Sequence, residues 1–243
     1  MDSILQLMSA HRTVRSFLPG RLDDKVVDQC VSAAQMAATS SNVQPYALIR
    51  VEDVEKREAL AELCGGQSQV EKSGAFFILC ADQKRFRLIA ESSSGAYSPN
   101  LESFMVGAID GSLFAQNLVL AFESKGLGTC FIGGLRNDLT AVSKLLQLPR
   151  DVFPLFGLCV GEIANDPGPK PRLASSAVLY TDRYPSDSTI LEDISEYDER
   201  MATYYEEREL AGRNWSGGIL RKWAAPTREY LADYYRSQGA NLR

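Results

Sequence analysis

Apolar residues at Ile4, Leu5, Leu7 and Met8 share one face of a helix that should end near His11, and Val26, Val27, Cys30, Val31 and Ala34 trace the face of a second. Continuous β-prone runs follow at 47–51, 75–80, 129–132 and 156–160. Runs without polar alternation predict strands buried on both faces. Between them, 54–64 and 137–147 have helical spacing, the second with Asn137 as its N-cap and Pro149 just beyond its end. Helices interleaved with buried strands imply an α/β or α+β chain in which helices cover a central sheet.

Segment 102–125 departs from the usual two-faced helix. Phe104, Met105, Val106, Ala108, Ile109, Leu113, Phe114, Leu118, Val119, Leu120 and Phe122 go almost all the way round it. That predicts a helix buried on most sides, in the core and against a second subunit at once. Gly126 and Gly128 are placed to close it. Residues 91–100 (ESSSGAYSPN) and 165–171 (NDPGPKP) are loop sequences. From Ser186 the chain turns acidic, aromatic and helical in pattern, without further strand runs, as an extension of the main body.

Composition narrows the partners. The 243 residues are 45% hydrophobic and 23% charged, enough for a sizeable core. A net charge of −5 disfavours a nucleic-acid platform, which needs surplus Lys and Arg to displace counterions from phosphates. The apolar run at 114–122 is interrupted by Gln116 and Asn117 and is too short to cross a bilayer, and the start lacks a signal-peptide pattern, so a cytoplasmic location is expected. Five separated cysteines sit in apolar segments and read as core thiols, neither disulfide nor zinc ligands. With His11 as the single histidine, His-rich metal sites are excluded and a Ser-His-Asp triad has one candidate; G-x-S-x-G is absent. G-x-G-x-x-G and P-loop motifs are absent too.

Five short stretches could carry chemistry. His11-Arg12-Thr13-Val14-Arg15 supplies many donors in a small space, although cations at a helix C-terminus have a structural explanation as well. Residues 39–45 (TSSNVQP) form a polar turn. Gly65-Gly66-Gln67 matches a helix C-cap. Residues 131–137 (FIGGLRN) pass from strand to turn with glycines that let a planar ligand approach the backbone. Lys170-Pro171-Arg172 holds two cations in extended geometry. Each has an ordinary structural reading of its own.

Their order and spacing together resemble the nitroreductase superfamily, in the branch containing the major oxygen-insensitive NADPH nitroreductase and the NADPH-dependent FMN reductases of bacteria. The resemblance runs along nearly the whole chain, including FPLFGLC at 153–159 and the tyrosine-rich tail. Two departures are Thr13, where that branch has serine, and the apolar members of Val43-Gln44-Pro45. The resemblance implies an α+β fold with a central, mostly antiparallel sheet flanked by helices, a helical C-terminal extension, and an intertwined homodimer. It divides the chain into an FMN-binding core, 1–175, and an extension packed on core and partner, 176–243.

Carried onto this chain, the resemblance gives the phosphate and ribityl end of FMN to His11, Arg12, Thr13, Lys170 and Arg172. Arg15 would stabilise negative charge on the reduced ring, and Gln67 would hydrogen-bond the ring edge. Phe131, Ile132, Gly133 and Gly134 would contact the ring, and Thr39, Ser40 and Ser41 would reach the flavin of the partner subunit. NADPH would be recognised by Arg208 and Arg213. The implied activity is two-electron, ping-pong reduction of nitroaromatics, quinones or flavins, with no catalytic side chain and no metal. Alternatives are an FMN reductase supplying a monooxygenase, or an FMN-binding protein without turnover.

Overall fold

In the computed structural model, which describes residues 3–243, the four apolar runs become β1 (Tyr46–Val51), β2 (Ala75–Asp82), β3 (Gly128–Ile132) and β4 (Val152–Gly161). They form one antiparallel sheet in the order β1-β2-β4-β3. Helices α1 (Ile4–Ser9), α2 (Asp24–Ala34), α3 (Val54–Leu63), α4 (Ser68–Lys72), α5 (Lys84–Ser92), α6 (Leu101–Glu123) and α7 (Leu139–Leu146) precede or separate the strands. After them come α8 (Asp187–Glu206), α9 (Trp215–Trp223) and α10 (Leu231–Gln238). The contacts divide into two compact units, residues 3–167 with 228–243, and Gly168–Thr227. The sheet and its core belong to the first, and α8 and α9 to the second.

Every residue of β2 is buried, as a strand covered on both faces requires. β4 begins at Val152, earlier than its apolar run suggests, because Pro154 lies inside it. A proline in a central strand forfeits a ladder hydrogen bond unless the register is relaxed there. The register relaxes at that place: Leu79 faces Phe156 while Cys80 faces Pro154, leaving Leu155 as the extra residue of a bulge. Further along β4, Gly157 lets the Phe76 ring lie against the strand; a Cβ there would stand 2.6 Å from Phe76 Cζ.

α6 is fastened at its start by Asn100 and Ser103, which cap each other's backbone N–H groups. Small residues let it settle on the sheet. A Cβ on Gly107 would come within 2.9 Å of the Ala81 Cβ, and Gly111 sits over Leu79 and Tyr46. Phe114, Leu118, Val119 and Phe122 fill the core beneath. By length and apolar composition α6 could cross a membrane, with a mean hydropathy of 1.4 over 18 residues, so the shortness inferred from the 114–122 run does not hold. Packing decides its place: it lies on β2 and α2 and carries a buried carboxylate, Asp110. The expected burial on most sides is incomplete within one chain, because Leu101, Met105, Ile109 and Leu113 form an exposed stripe at every fourth residue.

Local details also differ from the sequence reading. Gly126, at φ +77°, closes α6, whereas Gly128 starts β3. Asp138 rather than Asn137 caps α7, accepting from the Ala141 N–H, and Asn137 accepts instead from Arg228. Substituting Gly157→Ala should lower the Tm through an overpacking cost of about 1–3 kcal/mol. An unchanged Tm in thermal unfolding would contradict the packing of Phe76 described above.

Candidate functional site

The site is organised along β3. As an outer strand, β3 has one edge without a strand partner, and the 11–15 segment lies against that edge. α1 ends at Ser9, so His11, Arg12 and Arg15 are not the cations of a helix terminus; they project from extended chain. The Val14 N–H donates to the Thr129 carbonyl at 2.9 Å, and Thr13 bridges Thr129 in parallel. Gly128 makes room, since a Cβ there would stand 2.8 Å from the Cβ of the buried Val14. Arg15 follows beside Cys130: burial pushes that thiol up, and the Arg15 charge opposes part of the rise.

His11 and Arg12 are each tied to a carboxylate. His11 Nδ1 lies 2.8 Å from Glu123 Oε1, at the end of α6, and the Thr129 hydroxyl donates to the same oxygen at 2.9 Å. Arg12 donates through Nε and Nη2 to both oxygens of Asp166, at 2.8 and 2.6 Å, which raises its already high pKa.

Two further motifs meet at the end of β3. Gly65 and Gly66, at φ +86° and +72°, end α3 and release Gln67, whose amide donates to the Cys64 carbonyl at 2.8 Å and accepts from Gln69 Nε2 at 2.9 Å. Gly134 sits directly on this group, and a Cβ on it would collide with Gln67 Nε2 and the Cys64 oxygen. Ile132 is fully buried, and Phe131 is exposed and packs edge-on against Phe156. The turn at Gly133–Asn137 is held from behind by Tyr230, whose hydroxyl donates to the Arg136 carbonyl and accepts from the Leu139 N–H. Thus 11–15, Gln67 and 131–134 come together around one strand.

Residues 39–45 lie elsewhere, on α6. Ser41, Asn42 and Gln44 all have positive φ, a costly backbone for non-glycine residues that only firm anchoring sustains. One anchor is Asp110, buried in α6, which accepts the Ser40 N–H at 3.0 Å.

In the second unit, Lys170 donates to the Tyr205 hydroxyl at 2.9 Å and lies 5.7 Å from the Tyr204 ring centroid. Arg208 stacks on Tyr204 at 3.7 Å. Arg172 donates to the Lys170 carbonyl, and Arg213 is exposed. The unit is held internally by Asp198, which accepts from Asn214 and Ser216, and by Tyr197, which packs on Trp215.

Sequence reasoning passed over Glu123, Gln69 and Asp110. Two carried a signal: Asp110 is a lone charge inside an apolar helix, and Glu123 is an acid in a last turn, where the helix dipole favours cations. Gln69 had none.

The arrangement offers backbone and side-chain donors at one end of a strand and the Gly133-Gly134 turn packed on Gln67 at the other. It suits binding and orienting a flat, anionic group better than acid–base or nucleophilic catalysis.

The model of the Nitroreductase family matches residues 8–162, and that of the Nitroreductase family, C-terminal domain, matches 170–243. An FMN reductase (NADPH) of Bacillus subtilis is 42% identical, covering 99% of both chains. An oxygen-insensitive NADPH nitroreductase of Salmonella typhimurium is 36% identical, covering 98% of each. The solved NfrA1 nitroreductase of B. subtilis superposes with a TM-score of 0.95 over 98% of this chain and 99% of its own.

The five cysteines are free and buried, and burial pushes Cys64 and Cys80 up to about 12. Only a thiolate reacts readily. At pH 8 the folded chain should therefore resist a thiol reagent, with all five groups reacting once it is unfolded; rapid labelling of the native protein would contradict this.

Proposed function

This chain belongs to the nitroreductase family, and we propose that it is an FMN-dependent oxidoreductase that takes electrons from NADPH and delivers them in pairs to nitroaromatics, quinones or flavins. The reading is carried by the convergence of the 11–15 donors, Gln67 and the Gly133-Gly134 turn around β3. The donor set fits the group. His11, Arg12, Thr13 and Arg15 offer N–H and O–H groups for phosphate and pyrimidine oxygens, and the close fit of Gly134 on Gln67 and Cys64 holds the strand-end turn beside the Gln67 amide.

Bound flavin supplies the redox chemistry, accepting hydride from NADPH and passing two electrons on. The chain's residues bind and tune it. We assign His11, Arg12 and Thr13 to the phosphate and ribityl end, Arg15 to the negative charge of the reduced ring, and Gln67 with residues 131–134 to the ring edge. For Lys170 and Arg172 the phosphate role rests on the resemblance of their motif. Donor and acceptor use one site in turn, and no side chain is assigned as acid or nucleophile.

Thr39, Ser40 and Ser41 serve the flavin of a partner subunit in a homodimer. Supporting this are the exposed stripe Leu101, Met105, Ile109 and Leu113, and the anchoring of the Ser40 loop to the same helix. By function the chain divides into a flavin-binding core, 1–175, and an extension, 176–243, that recognises NADPH through Arg208 and Arg213, although its last residues, 228–243, pack with the first compact unit. Free thiols throughout suit a reducing cytoplasm.

The purified protein should be yellow or become so with FMN, and should oxidise NADPH with nitrofurazone, a quinone or FMN as acceptor. A chain that takes up no FMN would overturn the proposal. Arg208→Ala should raise the NADPH KM by about tenfold, the loss of one charge-assisted contact, with FMN affinity unchanged. An unchanged KM would remove Arg208 from the nucleotide site.

A further inference from the structure

Glu123 is costly where it stands. It occupies the last turn of α6, where exposed carbonyls repel an anion, and its side chain is only 8% exposed. Both hydrogen bonds found for it converge on one oxygen, from His11 Nδ1 at 2.8 Å and from the Thr129 hydroxyl at 2.9 Å. A carboxylate only accepts, so Nδ1 carries the proton and Nε2 is the nitrogen left for a ligand. Thr129 also accepts the Val14 N–H through its carbonyl, so one carboxylate joins the end of α6, the edge of β3 and the start of the 11–15 segment.

We propose that Glu123 is a positioning residue for the flavin phosphate: by holding Nδ1 it fixes the ring of His11 and leaves Nε2 as the nitrogen that meets the phosphate. The proposal rests on the flavin reading above. Arg12, next to His11 in this segment, is already bound through Nε and Nη2 by Asp166, so of the two His11 is the donor whose aim depends on Glu123. A role confined to holding α6 against β3 would affect every ligand alike; a role through His11 concerns the phosphate alone.

The test titrates apoprotein with FMN and with riboflavin, which lacks the phosphate, following flavin fluorescence. In Glu123→Gln, FMN affinity should fall by about tenfold, the scale of one charge-assisted hydrogen bond, while riboflavin affinity is kept. In a His11→Ala background the same change should have no further effect on FMN. Should Glu123→Gln fail to fold by circular dichroism, Glu123→Asp, which keeps the charge but shortens its reach, should show the same selective loss. A variant that keeps the FMN preference of the wild type, loses both ligands equally, or is additive with His11→Ala overturns the proposal. A wild type that binds neither flavin overturns the flavin reading and this inference with it.

Discussion

An outer β-strand presents a row of backbone groups that must find partners, and in this chain the free edge of β3 takes the 11–14 segment. Much else follows from that docking. Gly128 has no side chain because Val14 occupies the space, and His11, Arg12 and Arg15 are held in extended chain, the first two with their side chains fixed by separate carboxylates. The strand then runs into the Gly133-Gly134 turn, which meets Gln67, so a single edge gathers groups that lie far apart in sequence. A helix could not do this. Its side chains would radiate, whereas a segment laid along a strand keeps its donors near the strand's own end.

The sheet was legible because its strands are apolar without interruption, and a run such as 75–80 has no other stable use than full burial. What composition concealed was local. Pro154 hides the first half of β4, since a central strand tolerates proline only at a bulge, and the bulge is created by pairing with β2. α4, with five residues, is too short for a helical period to show, and α5, though amphipathic, contains no buried residue. The Asn137 cap was ambiguous because Asp138 follows it, and only the reach of Arg228 decides which of the two is left for α7.

The site was legible as motifs but not as geometry. Cations at 11–15 looked like helix-end residues until α1 stopped at Ser9. The 39–45 turn looked like an ordinary polar loop; its three positive φ angles and its tie to Asp110 arise from folding. Arg208 and Lys170, far apart in sequence, both contact Tyr204, so charges that read as a solvated face form an ordered cation–aromatic group. Carboxylates such as Glu123 and Asp110 are the hardest to read, because their meaning lies in what they hold.

A flavin bound in this arrangement would cycle between NADPH and a second substrate in two-electron steps. The most direct test is an anaerobic titration of the FMN-loaded protein. One equivalent of NADPH should bleach the oxidised-flavin absorbance, and one equivalent of a quinone should restore it. Absorbance that persists after NADPH is added would contradict the account.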